Sequence, residues 1–356
     1  MCAVRVGLVG CGRVAGKHMA ALEGLGDEVE AVGVVDPCEG ARGEASRRLG
    51  VEGFEEIRGL MEVGKPELVV LATPTGLHPG QAMEAAEAGA HILCEKPLGT
   101  RLEEAGEMVR EVARLERQLF VVKQLRYHPL FRALRGAIEG GRFGRIHTVA
   151  MQVFWTRPQA YYDEARWRGS EVMDGGALTN QASHYVDLLT WLLGPVAAVQ
   201  ATGGALGRSI EAEDTAVVNL GWKSGTVGSM HVTMLSYPKN LATNLTVIGE
   251  RGTVRIGGAR CDQVEAWEFE ESRPEDEMVE RLSDQVEQVL RNGHRLVYDD
   301  VLRRLKGQCV EVVDGLSGLN SLAVIEAAKR SYVSGARERV RSVFGEEQSD
   351  DERGVA

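Results

Sequence analysis

No stretch of this chain approaches the roughly 20 consecutive apolar residues that a membrane span requires. The first residues run straight into an apolar strand pattern instead of a charged leader. A cytoplasmic protein without a membrane partner is therefore expected. Basic residues are in the minority, 41 Lys and Arg against 52 Asp and Glu, for a formal net charge of −11. That balance argues against nucleic acid as a partner, because binding it demands a broad basic face, and leaves a small molecule. Cysteine is sparse: Cys2, Cys11, Cys38, Cys94, Cys261 and Cys309 form no CxxC pair and no metal-ligand spacing, so neither disulfides nor a structural metal are expected. Internal repeats and low-complexity tracts are also missing.

A chain of 356 residues, 44% of them apolar, exceeds what one core usually supports and predicts two domains. From Val4 to Gln124, short apolar runs (Val4 to Val9, Val29 to Asp36, Leu68 to Thr73, His91 to Glu95, Leu119 to Gln124) alternate with helical stretches such as Gln81 to Ala88 and Leu102 to Arg117. This alternation predicts an α/β unit with a parallel sheet and crossover helices. After Pro129 the pattern changes to a strand (Ile146 to Phe154), a loop rich in Arg and aromatics, and a long helix expected over Gly175 to Leu193. Successive strands are expected at Val196 to Thr202, Thr215 to Trp222, Thr226 to Met234, Ala242 to Ile248, Thr253 to Ile256 and Gln263 to Phe269. Helices near Pro274 to Arg291 and Ser321 to Ser334 close the pattern. The reading is α/β plus α+β: a nucleotide-binding domain over 1–125, a mostly antiparallel open-sheet domain over 126–345 for substrate and oligomerisation, and a disordered acidic tail over 346–356.

Three features carry chemistry. Gly10-Cys11-Gly12-Arg13-Val14-Ala15 leaves a strand and enters a helix, matching GxGxxG/A. Gly10 permits the tight turn, Gly12 lets a pyrophosphate approach, and Ala15 allows close helix packing, so this reads as a Rossmann dinucleotide loop. Asp36, ending the second run, is placed to accept from the adenosine ribose hydroxyls and to repel a 2′-phosphate, which predicts NAD over NADP. Glu95-Lys96-Pro97 ends the His91 run, at the strand edge where ligands bind in open α/β sheets. Asn180 and His184 lie four positions apart in the expected long helix and so would share one face with each other.

The Gly10 loop, Ala72-Thr73-Pro74, Glu95-Lys96-Pro97 and Gly175-Gly176 followed by His184 resemble the Gfo/Idh/MocA oxidoreductases over nearly the whole chain. Within that family, several blocks are similar to the branch of UDP-N-acetylglucosaminuronic acid 3-dehydrogenases of the WlbA type. They run from Phe154 to Gln159 through Tyr161-Tyr162-Asp163, Trp167-Arg168-Gly169 and Asn180 to His184, then Ile210 to Thr215 and Thr233 to Asn240. The resemblance implies NAD-dependent oxidation of the 3′-hydroxyl of a UDP-hexuronic acid, for surface polysaccharide, by a homodimer or homotetramer. It carries cofactor binding to Gly10, Gly12, Arg13, Val14, Asp36, Thr73, Pro74, His78, Glu95, Lys96, Gln124, Trp167 and Arg168. It carries substrate binding to Lys96, Arg157, Tyr161, Asn180, Gln181, His184 and Lys239. Asn180 stands where many family members have Asp, and Leu125 where related enzymes often have Asn.

Lys96 and His184 are the expected catalytic pair, since alcohol oxidation needs a base and a cation beside the developing alkoxide. Their two roles are exchangeable at the level of sequence. Trp167 is a candidate to pack near the nicotinamide, with ordinary core packing the other reading. Arg157, Arg168 and Lys239 are candidates for the uronate carboxylate or the diphosphate, with solvated surface charge the alternative. Three other functions share these features: a dehydrogenase of a free sugar or cyclitol, an NAD-dependent glycosidase, and a noncatalytic nucleotide sensor.

Overall fold

The computed structural model describes residues 3–342, so the expected tail over 346–356 lies outside the described residues. Strands β1 (Val4–Val9), β2 (Val29–Val35), β3 (Gly53–Phe54), β4 (Leu68–Leu71), β5 (His91–Cys94) and β6 (Leu119–Val121) form one sheet in the order β3-β2-β1-β4-β5-β6. Every neighbouring pair in it is parallel. The strand order reverses between β1 and β4, which opens a crevice above their carboxyl ends. Both faces of the sheet are covered, so its strands are apolar throughout instead of alternating. Leu68 and Val70 face one cluster, with Leu22, Val297 and Tyr298; Val69 and Leu71 face the other, with Ala85, Met108 and Leu322.

The second sheet comprises β7 (Ile146–Phe154), β8 (Val196–Gly204), β9 (Thr215–Trp222), β10 (Val227–Thr233), β11 (Ala242–Gly249), β12 (Gly252–Gly257), β13 (Gln263–Phe269) and β14 (Glu338–Arg339). Its order is β13-β12-β11-β7-β10-β9-β8-β14, antiparallel except for the central β10–β7 pair. Alternate residues Val149, Met151 and Val153 of β7 are buried against the helices of one face. The strands expected from sequence match closely; β3 and β14, two residues each, are too short to leave a pattern.

Three helical expectations need correction. The expected helix over Gly175 to Leu193 is divided: Ala177–Gln181 is one π-helical turn, Ala182 breaks it, and Ser183–Leu193 is the α-helix. Gly175 and Gly176, at φ +77° and +89°, lie outside any helix, and a β-carbon on Gly176 would fall 2.4 Å from the Glu213 carboxylate. The helix placed near Pro274 to Arg291 runs over Asp276–Leu305, because its second half exchanges a solvent-facing pattern for contacts with the first sheet. The one placed over Ser321 to Ser334 begins at Gly315, where Asp314 caps it by accepting from Ser317 N at 2.9 Å. These two helices reach back from the second half of the chain and pack on opposite faces of the first sheet.

A buried ion cluster fastens the two halves beside the crevice. Asp187 accepts from Arg126 Nε and a terminal Arg126 nitrogen at 2.9 and 2.8 Å, and Lys123 Nζ stands 3.5 Å from the same carboxylate. Asp187 and Lys123 are each only 2% exposed. Removing one partner of such a cluster strands a buried charge, at a cost of about 3–5 kcal/mol. Asp187→Ala should therefore shift the urea unfolding midpoint sharply downward; an unchanged midpoint would show that the cluster contributes no net stability.

Candidate active site

The nucleotide loop is built from steric necessity. At Gly10, φ is +90° and a β-carbon would sit 2.7 Å from the carbonyl of Ala72, so only glycine fits between β1 and the turn after β4. Around Gly12 nothing lies within 4 Å of such a carbon, which leaves its backbone open to a ligand. Ala15 is fully buried, and no side chain caps the helix Ala15–Leu25 that follows. Asp36 is held by two backbone donors, Cys11 N and Cys38 N, each at 2.8 Å. A cavity of about 920 Å³ extends from Asp36 past Gly10, Gly12, Arg13, Val14, Thr73 and Pro74 to Glu95 and Lys96. An uncapped helix start, an open glycine backbone and a fixed carboxylate at the far end suit a dinucleotide with its pyrophosphate at the loop.

Lys96 projects into this cavity and is half-buried. Its Nζ donates to the backbone oxygen of Asn180 at 2.7 Å. Burial lowers its pKa to about 8, with Glu95 opposing the shift and Lys123 adding to it. The π-turn changes what Asn180 does: its carbonyl, left without a regular helical acceptor role, takes the lysine, while its side-chain amide donates to the buried Asp174. The helical face that Asn180 and His184 were expected to share is absent, because Ala182 separates the two segments. His184 instead meets Gln124, whose Nε2 lies 3.2 Å from imidazole Nε2. Donor and acceptor in this contact are set by the ring tautomer and the orientation of the amide. Burial, then the charges of Lys96 and Lys123, hold His184 well below its ordinary pKa, so the ring is a neutral imidazole. His184 is half-buried and stands outside the cavity lining, and the Lys96 charge is one of the influences that lower its pKa.

The remaining candidates do not all reach the cavity. Tyr161, Trp167, Arg168 and Asn180 line the cavity with Lys96. Arg13, Arg157 and Arg168 surround the Tyr161 ring at 5.7, 5.5 and 4.3 Å, an assembly of guanidiniums at the cavity mouth. Gln181 donates to the Tyr161 hydroxyl at 3.3 Å from outside the lining. His78 is buried beneath the cavity, its ring nitrogens 2.8 Å from the Pro97 oxygen and 3.0 Å from the Thr73 oxygen; it braces the turn and does not face the cavity. Lys239 is solvent-exposed and lies outside the cavity lining.

Several residues escaped the sequence reading. Lys17 lines the cavity from the first helix, where its spacing after Ala15 could have drawn attention. Asp174, 3% exposed, accepts from Gly169 N and from Asn180; burial raises its pKa, and those two donors oppose the rise. It sits six residues before Asn180 and supplies a carboxylate near Lys96 where Asn180 offers none. His18 and His294 meet at Glu95, and no local pattern connects them.

Two family models match: the NAD-binding Rossmann fold of the oxidoreductase family over residues 4–123, and that family's C-terminal alpha/beta domain over residues 135–340. The structure of the WlbA dehydrogenase from Bordetella pertussis in complex with NADH and UDP-GlcNAcA is 46% identical. It superposes with a TM-score of 0.93 over 96% of this chain and 98% of that one. The WlbA protein from Chromobacterium violaceum, in complex with the same two molecules, is 44% identical, with a TM-score of 0.91 over 95% and 96%. A myo-inositol 2-dehydrogenase from Thermotoga maritima is 28% identical over 232 residues, 63% of this chain and 67% of that protein. The chain belongs to the Gfo/Idh/MocA oxidoreductase family, with an NAD-binding Rossmann domain at its amino-terminal end.

Proposed function

We propose that this enzyme oxidises the 3′-hydroxyl of UDP-N-acetyl-2-amino-2-deoxyglucuronate to the 3-keto sugar, a step in making nucleotide sugars for surface polysaccharide such as O-antigen. The observation that carries the reading is the near full-length likeness to two WlbA dehydrogenases that hold NADH and UDP-GlcNAcA. The chain's own residues fit the chemistry. NAD held by the Gly10 loop and Asp36 would supply the hydride acceptor for the carbinol carbon. His184, a neutral imidazole, takes the hydroxyl proton on a ring nitrogen. Lys96, an ammonium below about pH 8, stands beside the developing alkoxide and stabilises it. Trp167 excludes water from the reacting edge, while Arg13, Arg157 and Arg168 supply donors for the diphosphate or the uronate. Tyr161 and Asn180, which line the cavity, orient the sugar, and Gln181 holds the Tyr161 hydroxyl in place.

A homo-oligomer in the cytoplasm completes the proposal. Among the described residues no helix is long and apolar enough to cross a membrane. On the second sheet, Val227 and Ile248, 59% and 39% exposed, flank Thr148 of β7 from either side and present an apolar face for a second copy. The second functional reading is a dehydrogenase of a free cyclitol, favoured by the myo-inositol 2-dehydrogenase relative.

Incubating the protein with NAD and a panel of UDP-uronates, UDP-sugars and free sugars, with product mass and NADH absorbance as readouts, separates the two readings. Oxidation of the UDP-uronate alone supports the first, and turnover of free inositol in its place overturns it. Lys96→Met and His184→Asn should each lower kcat by about 100-fold or more with NAD binding retained. Near wild-type turnover in both would remove them from the chemistry. The pH profile of kcat/KM should fall as pH rises through about 8, where Lys96 loses its proton; a rise through that pH would exchange the roles of lysine and histidine. Asp36→Ala should narrow the preference for NAD over NADP.

A further inference from the structure

A buried polar group stands directly behind Lys96 and has no part in the steps above. Glu95, 6% exposed, accepts on Oε1 from His18 Nε2 at 3.1 Å and from His294 Nε2 at 2.8 Å. Its Oε2 accepts from the backbone N of Lys96 at 3.2 Å. His18 Nδ1 in turn lies 3.0 Å from the Tyr298 hydroxyl, and the rings of His18 and His294 meet edge to face at 4.9 Å. His18, His294 and Tyr298 are all buried. Burial keeps His18 below its ordinary pKa, so a consistent donor arrangement has Tyr298 donating to Nδ1 and His18 donating from Nε2 to Glu95. Such a trio of side chains could also ligate a cation. Here, however, one carboxylate oxygen takes both imidazole nitrogens at hydrogen-bond distance, and the proton ledger of His18 closes without an ion.

These four groups come from three separate places: His18 from the first helix, Glu95 from the end of β5, and His294 and Tyr298 from the Asp276–Leu305 helix. That last helix touches the other catalytic side as well. Gly293 lies against Gln124, where a β-carbon would come within 2.9 Å of Gln124 Cβ, and Gln124 is the partner of His184. Two consecutive residues of one distant helix thus contact the immediate supports of both catalytic groups.

We propose that the Asp276–Leu305 helix is a positioning element of the catalytic site: through His294 and Tyr298, with His18, it fixes Glu95 as a buried counter-charge that holds Lys96 as an ammonium. The inference rests on the functional reading only in taking Lys96 as a reacting group. Burial alone would raise the Glu95 carboxyl; the hydrogen bonds from His18 and His294 outweigh it and keep the group ionised. The charged and titratable groups facing Lys96 are Glu95 from its own strand end, Lys123 beyond β6, Asp174 from the loop, Lys17 from the first helix and His184 from the second half. Of the two anions, Glu95 exerts the larger influence on Lys96 and opposes burial.

The test reads the ionisation of Lys96 directly. Full-length protein is pulsed with acetic anhydride across a pH series and modification of Lys96 is followed by peptide mass spectrometry, alongside pH profiles of kcat/KM. In wild-type protein the Lys96 midpoint should lie near pH 8, and in Glu95→Gln it should move down by about one unit or more. Because the labelling needs no turnover, it decides this proposal even if the assigned substrate is wrong. A Glu95→Gln protein that folds, binds NAD and keeps the wild-type midpoint would overturn it.

If that variant does not fold, His294→Leu and His294→Gln decide instead. In the leucine variant Glu95 loses a donor and is weakened as a counter-charge, so the Lys96 labelling midpoint should move below pH 8. Glutamine restores the donor and should restore the midpoint. Equal midpoints for the two variants would leave His294 a packing residue only and refute the proposal.

Discussion

In the proposed reaction Lys96 must carry its charge at a half-buried position where the two halves of the chain meet, and much of the local architecture bears on that demand. Burial pulls the Lys96 pKa down to about 8, and Lys123 nearby pulls in the same direction. The opposing groups are two carboxylates and one carbonyl: Glu95 beneath the lysine, Asp174 across from it, and the Asn180 oxygen as direct acceptor. The π-turn at Ala177–Gln181 frees the Asn180 carbonyl, and the glycines at 175 and 176 let the chain turn over Glu213 to reach it.

The same economy explains how two sheets of different construction form one site. The parallel sheet supplies a crevice at its strand reversal, but by itself would offer only one wall. The second half of the chain supplies His184 on a short helix, anchored by the Asp187 cluster one turn further on. It also returns two helices to the faces of the first sheet, and one of them delivers His294 and Tyr298 to Glu95. Burying these charged and polar groups is costly. Pairing each with a partner from another element limits that cost and fixes the two halves in one relation.

How much of this is legible in the sequence follows from how local each signal is. The nucleotide loop and Asp36 are contiguous motifs whose residue types are forced by sterics: Gly10 has a carbonyl where its side chain would be, and Ala15 has no room for more. Lys96 is legible because it ends an apolar strand. The pairing of Asn180 with His184 misled, since i, i+4 spacing assumes an unbroken α-helix and the chain inserts a π-turn. The contact of Glu95 with His18 and His294 spans 77 and 199 positions, and nothing in local periodicity can report it. Lys239 was drawn from a block of resemblance, and its exposed position reflects a segment outside the cavity lining.

In the proposed reaction an ammonium and an imidazole, remote in sequence, act on one carbinol. A crystal structure of the ternary complex with NADH and the UDP-hexuronate tests it most directly. The expected result is the sugar 3′-oxygen at hydrogen-bond distance from both Lys96 Nζ and a ring nitrogen of His184, with the carbinol carbon facing the nicotinamide. A sugar oxygen bonded to neither group, or a hexuronate ring seated away from the nicotinamide, would contradict it.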